Sequence, residues 1–131
     1  MMFRILLADS DPTLREIYAR FFQAGGFDAH VAADGVACLR RLQEVEPDAL
    51  VLEWELPWGG GEGVLAWLRD NDIAPPRTIV VTTRQPEVAR SNHWIPDAIW
   101  LEKPFRMAAL LRLVTVGSES LAGHGTASVP S

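Results

Sequence analysis

Cysteine is almost absent from the 131 residues: Cys38 stands alone. A single thiol cannot close an intrachain disulfide, which sets aside the stapled secreted scaffolds and fits a reducing compartment. Equally missing is any apolar run near the roughly 20 residues that a membrane-spanning helix needs. The opening Met1-Met2-Phe3-Arg4 leads into an apolar segment with no charged leader and no cleavage site, so no signal peptide is expected. Positive charge is scarce too, with 12 Lys and Arg against 17 Asp and Glu and a net charge of −5. Nucleic-acid binding needs a concentrated cationic surface, and none is visible here. Arg40-Arg41, the one adjacent basic pair, falls in a helical pattern and reads as a solvated face. His30, His93 and His124 are scattered without metal-ligand spacing. With these classes removed, a cytoplasmic single domain is expected, with no nucleic-acid or membrane partner. Its length suits one domain, and 48% hydrophobic against 22% charged residues supplies an ordinary core.

Short apolar runs alternate with amphipathic stretches. Ile5-Leu6-Leu7-Ala8 is the first run and stops at Asp9. Pro12 to Gln23 places Leu14, Ile17, Tyr18 and Phe21 at helical spacing, with Asp11 as N-cap and Gly25-Gly26 as the stop. Asp28 to Ala32 reads as a second strand. Asp34-Gly35 opens a helix with Val36, Leu39 and Leu42 on one face, and Cys38 is expected to be a small buried apolar group within it. Ala49-Leu50-Val51-Leu52 is continuously apolar, as in a strand covered on both faces, and stops at Glu53. The glycines of Pro57-Trp58-Gly59-Gly60-Gly61 read as a flexible loop, since the Gly-Lys-Ser/Thr ending of a phosphate-binding loop is missing. A helix with Val64, Leu65 and Leu68 follows. Thr78-Ile79-Val80-Val81 is a fourth strand ending at Thr82-Thr83, and Ala98-Ile99-Trp100-Leu101 a fifth, ending at Glu102-Lys103-Pro104. Between them Gln85 to Trp94 is a poor helix candidate, interrupted by Pro86 and Ser91-Asn92. Met107 to Val114 forms the last helix. The tail over residues 117–131, rich in Gly, Ser and Ala, is expected to be disordered, which leaves a domain over residues 1–116.

Five βα units with short links imply a parallel sheet with helices on both faces. Ligands of such sheets bind beyond the carboxyl ends of the strands. The residues found there are Asp9-Ser10-Asp11, Glu53, Thr82-Thr83 and Lys103. Acids, hydroxyls and one lysine therefore converge on one edge, with Glu53 at the centre.

This constellation resembles the receiver domain of two-component response regulators. It is carried by Ile5 to Pro12, Pro47 to Pro57, Thr82-Thr83 and Trp100 to Phe105, in that order and spacing, from about Phe3 to Val116. The resemblance implies a flavodoxin-like strand order of 2-1-3-4-5 and a cis Lys103-Pro104 peptide. It gives Glu53 the phospho-acceptor position, Thr82 and Lys103 the phosphoryl-binding positions, and Trp100 the aromatic switch position. Asp9 and Ser10 take the places of the acidic pair that holds Mg²⁺, with the backbone carbonyl of Glu55 as the third ligand.

Two departures change what the resemblance implies. Glu53 stands where the family has Asp, moving the carboxylate by about 1.5 Å, one C–C bond. A misplacement of about 1 Å can cost on the order of a hundredfold in rate. Ser10 removes a negative charge from the shell of a metal that demands near-ideal geometry. The metal site is thus expected to be weakened or lost, and aspartyl-type phosphorylation with it. The longer carboxylate can instead extend toward Lys103. Two readings follow: Glu53 mimics the phosphorylated state, or the site has decayed to a scaffold.

The expected function is a stand-alone atypical receiver, not an enzyme, acting through contacts with a histidine kinase, a phosphotransfer protein or another regulator, as a monomer or weak homodimer. The alternatives are a conventional Mg²⁺-dependent receiver phosphorylated inefficiently, and a metal-dependent phosphatase or small-ligand binder on the same fold. Trp58 and Trp94, beside loops, are candidates for a partner surface, although single exposed aromatics usually mean little.

Overall fold

The computed structural model describes residues 2–91 and 98–119. In chain order it forms β1 (Arg4–Ala8), α1 (Pro12–Ala24), β2 (Asp28–Ala32), α2 (Gly35–Val45), β3 (Ala49–Glu53), α3 (Gly60–Asp70), β4 (Thr78–Thr83), α4 (Val88–Ser91), β5 (Ala98–Glu102) and α5 (Met107–Glu119). The five strands form one parallel sheet in the order β2-β1-β3-β4-β5, the flavodoxin-like arrangement. Among the described residues no helix is long and apolar enough to cross a membrane.

Alternation along the strands divides the core into two layers. Leu6, Leu50, Leu52 and Val81 face α2 and α3, where Cys38, Leu42, Val64, Leu65 and Leu68 meet them. Ile5, Leu7, Val51, Val80 and Leu101 face the other way, against Tyr18 and Phe22 of α1 and Leu110 and Val114 of α5. Every residue of β3 is buried, as its unbroken apolar run requires. Burial pushes the Cys38 thiol up to about 12, so it stays protonated and packs as an apolar group.

Asp11 caps α1, accepting from the amides of Thr13 and Leu14, and Asp34 caps α2 through the amide of Ala37. Gly25 and Gly26 end α1, the second with φ at 88°. The helix faces differ from the expected ones by a small rotation. Ile17 is 45% exposed and Val36 56%, while Phe22 is fully buried; Cys38 is buried as expected. In α1 the buried residues lie four apart, Tyr18 and Phe22, so Ile17 falls at the edge of the stripe. Val36 sits in the first turn of α2.

The glycine-rich segment is a packing device rather than a flexible loop. Gly60 and Gly61 already belong to α3. A Cβ on Gly61 would lie 2.9 Å from the carbonyl oxygen of Glu53, so the helix start presses on the end of β3. Helix α4 is described over Val88–Ser91, and the end of the poor helix candidate, up to Trp94, lies outside the described residues. Asn92 to Asp97, with His93 and Trp94, lie outside the described residues, as do residues 120–131. Helix α5 runs three residues past Val116, where the tail was expected to begin.

Candidate functional site

Asp9, Glu53, Thr82 and Lys103 come together because of strand register. Glu53 is the Cα partner of Thr82, and Ala8 is the partner of Leu52. All four residues continue the alternation of Leu7, Val51, Val80 and Leu101, so they share the side of the sheet that faces α1 and α5. Asp9, Glu53 and Thr82 are buried. The cis peptide expected at Lys103-Pro104 is present.

Lys103 Nζ donates to Asp9 Oδ2 at 2.6 Å and to Glu53 Oε2 at 2.9 Å. The second contact is the direct one that the extra methylene of Glu53 allows. The remaining oxygens are also engaged. Glu53 Oε1 accepts from the Ser10 amide at 2.9 Å and from the Ser10 hydroxyl at 2.8 Å. Asp9 Oδ1 accepts from the Asp11 amide at 2.9 Å, and Arg15 donates to the Asp9 carbonyl at 2.8 Å. Burial alone would raise the Glu53 pKa. The hydrogen bonds from Lys103 and Ser10, with the Lys103 charge, outweigh it and hold the carboxyl below its ordinary value. Burial would likewise lower the pKa of Lys103, but the two carboxylates bonded to it raise it. Both groups are therefore charged at neutral pH.

Among the described residues three buried hydroxyls have no hydrogen-bond partner: that of Thr78 at the start of β4, and two nearer the site. One is Thr82 Oγ1, beside Glu53 in the ladder. The other is Tyr18 OH on α1, which nothing in the sequence pattern distinguished from an ordinary core position. Its burial is the largest reason its pKa is raised, and the charges of Asp9 and Glu53 add to that, so the ring lies within reach of their field.

The side chains of two further residues of the expected set lie outside this cluster. Trp100 pairs with Val81 and packs in the α2 and α3 layer, on the opposite side of the sheet from Glu53, Thr82 and Lys103. Its ring lies against Trp54, with centroids 5.3 Å apart and planes tilted by 55°. The Glu55 side chain is turned away from Asp9 and Glu53. It accepts from the Thr83 hydroxyl and, at 3.4 Å, from the Arg84 amide, tying the end of β3 to the end of β4. Sequence reasoning missed this tie because it weighed only the backbone carbonyl of Glu55. The unused hint was an acid two residues past β3 facing hydroxyls past β4.

The donor set does not fit a divalent metal. Asp9 is held by Lys103 and the Asp11 amide, Glu53 by Lys103 and Ser10, and Asp11 caps α1 with its own carboxylate. Among the described residues no three His, Cys, Asp or Glu side chains are grouped to hold an ion.

A cleft of about 420 Å³ opens beside Lys103, lined by Leu14, Arg84, Lys103, Pro104 and Phe105. At the α2 edge of the site Trp58 is 77% exposed.

Comparison with known proteins gives this geometry a family. A family model for the response regulator receiver domain matches residues 5–115. The transcriptional regulatory protein TrcR of Mycobacterium tuberculosis is 31% identical over 109 residues, covering 82% of this chain and 42% of TrcR. The response regulator MprA of Mycobacterium ulcerans is 34% identical over 121 residues, covering 86% of this chain and 51% of MprA. The chain thus spans about half the length of these relatives. Among solved structures, the chemotaxis protein CheY4 of Vibrio cholerae superposes with a TM-score of 0.79 at 23% identity, covering 88% of this chain and 98% of that one, which speaks to the fold. The response regulator TrrA of Thermotoga maritima, solved in complex with Mg²⁺ and BeF, gives 0.73 at 26% identity, covering 88% of this chain and 99% of that one. The strand order, the Asp9, Thr82 and Lys103 positions and these matches together place the chain in the response regulator receiver domain family.

Proposed function

We propose that the chain is an atypical receiver that signals through protein contacts and does not take up a phosphoryl group in the ordinary way. The observation that carries this reading is the double engagement of Glu53. Oε2 is paired with Lys103 and Oε1 accepts twice from Ser10. A nucleophilic carboxylate needs a free oxygen facing its donor, and phosphoryl transfer depends on positioning and on charge neutralisation by metal. Here the oxygens are occupied and the metal donors are spoken for. The pairing also delivers negative charge to Lys103 permanently, which favours a fixed input over a decayed scaffold. Among the described residues of this site we find no activated nucleophile beyond Glu53, and we read the domain as non-enzymatic.

The partner is a protein: a histidine kinase, a phosphotransfer protein or another regulator. The cleft beside Lys103 is lined by the apolar Leu14, Pro104 and Phe105 together with the cationic Arg84 and Lys103, a composition suited to a protein surface. A relative, MtrA of Mycolicibacterium smegmatis, is described as a DNA-binding response regulator. The net charge of −5 makes this domain itself a poor match for nucleic acid.

The test is incubation with a small phosphodonor and Mg²⁺, read by intact mass. The wild-type chain is expected to gain no phosphoryl adduct, whereas the double variant Glu53→Asp with Ser10→Asp gains one. A stoichiometric adduct on the wild-type chain would return it to the conventional receivers.

A further inference from the structure

We infer that the Lys103 ammonium, rather than a divalent metal ion, is the counter-ion that holds Asp9 and Glu53 together, so that the site is complete without metal and takes one up only when Lys103 is removed. The inference goes beyond the signalling reading, because it concerns how the carboxylates are neutralised and stands whether or not a protein partner exists.

The side chains of Asp9 and Glu53 are 0% and 6% exposed. Two carboxylates buried side by side cannot both stay ionised unless a cation is placed between them. The Lys103 side chain, 7% exposed, does this, touching one oxygen of each at 2.6 and 2.9 Å. Arg15 on α1 donates to the backbone carbonyl of Asp9 and not to either carboxylate, so Lys103 is the cation that bridges the pair. A third carboxylate at position 10 would add further negative charge for a divalent ion to neutralise. Ser10 instead places two neutral donors, its amide and its hydroxyl, on Glu53 Oε1.

The geometry points the same way. A magnesium ion requires an octahedron of oxygens at about 2.0–2.1 Å. To enter between Asp9 and Glu53 it must displace the ammonium and break two short charge-assisted hydrogen bonds. The acids that could complete a shell are committed elsewhere, Asp11 to the start of α1 and Glu55 to Thr83 and Arg84.

Removal of the ammonium reverses the balance. A Lys103→Met variant retains the two carboxylates with no cation between them, the condition under which a divalent ion is favoured. The experiment measures melting temperature and tryptophan fluorescence of the wild-type chain and Lys103→Met, each titrated with MgCl₂ and MnCl₂ at constant ionic strength, with EDTA as the reversal. The wild-type chain is expected to show no saturable response through millimolar metal. Lys103→Met is expected to melt lower by on the order of 10 °C, to recover much of that loss when metal is added, and to lose it again with EDTA. A saturable metal response of the wild-type chain at millimolar concentration or below overturns the inference, as does a folded Lys103→Met that ignores metal. If Lys103→Met does not fold, the wild-type titration decides alone. None of these outcomes reports on phosphorylation, so the two hypotheses fail separately.

Discussion

At Glu53 one methylene changes what a carboxylate can do. The shorter acid of the family ends near the strand; the longer one reaches an ammonium and accepts two hydrogen bonds from Ser10 at 2.8 and 2.9 Å. Such bonds to a charged group are worth roughly 1.5–3 kcal/mol each. The signs of the two pKa shifts set a pH dependence. Glu53 is held below its ordinary 4.5 in the folded chain, so its contribution is present above that value and disappears as pH falls through the lower folded value. Lys103 is raised above 10.5, so its contribution is present below that value and disappears as pH rises through the higher folded one. Urea unfolding across the pH range should therefore show the contribution of this pair level through neutrality and falling at both extremes. In Glu53→Gln the acid-side loss should shrink. An unchanged acid limb in that variant would mean that other carboxylates govern it. Tyr18 offers the opposite kind of change. Its hydroxyl is buried without a partner, a condition that costs about 1–3 kcal/mol. Tyr18→Phe should leave stability unchanged or raise it by up to about 1 kcal/mol, measured by the urea midpoint. A clear loss would mean that the hydroxyl makes a contact in solution.

At the level of elements, the starts of α2 and α3 are fitted against the loops around them without room for a methyl group. A Cβ on Gly35 would meet the Trp58 carbonyl oxygen at 2.1 Å, and one on Gly61 would meet the Glu53 carbonyl oxygen at 2.9 Å. Both neighbours are backbone and cannot rotate away. Gly61→Ala should destabilise by about 1–3 kcal/mol, and Gly35→Ala by at least as much. Differential scanning calorimetry checks both, and a thermally neutral Gly35→Ala would contradict the close approach. Element boundaries and caps were legible because Asp11, Asp34, Gly25 and Gly26 act through local chemistry. The glycines of α3 were not, since close approach to a carbonyl involves residues that only the fold brings together. The rotation that exposes Ile17 and Val36 escaped for a related reason: apolar residues outnumber the places on the buried stripe, and tertiary packing chooses among them.

Over the whole molecule, a parallel sheet with two apolar layers follows from alternating short runs and amphipathic stretches, and β3 announced its central place by having no polar residue before Glu53. The positions of Asp9, Glu53, Thr82 and Lys103 were equally legible, because carboxyl ends of adjacent parallel strands must meet at one edge. What remained hidden was which oxygen faces which nitrogen, a matter of side-chain reach. Trp100 was placed on the right strand, but its side of the sheet was not drawn out, although counting from Leu101 by twos would have done so.

The contact between Trp54 and Trp100 has an optical consequence. Two indoles this close and tilted relative to each other couple their electronic transitions, which gives a paired positive and negative band in circular dichroism whose sign depends on the twist between them. Trp54 follows β3 and Trp100 lies on β5, so that band measures the relative disposition of two strand ends across β4. A partner that reorients Trp100 would change the spectrum without any label, and the chain would report its own state as a colourless dye pair.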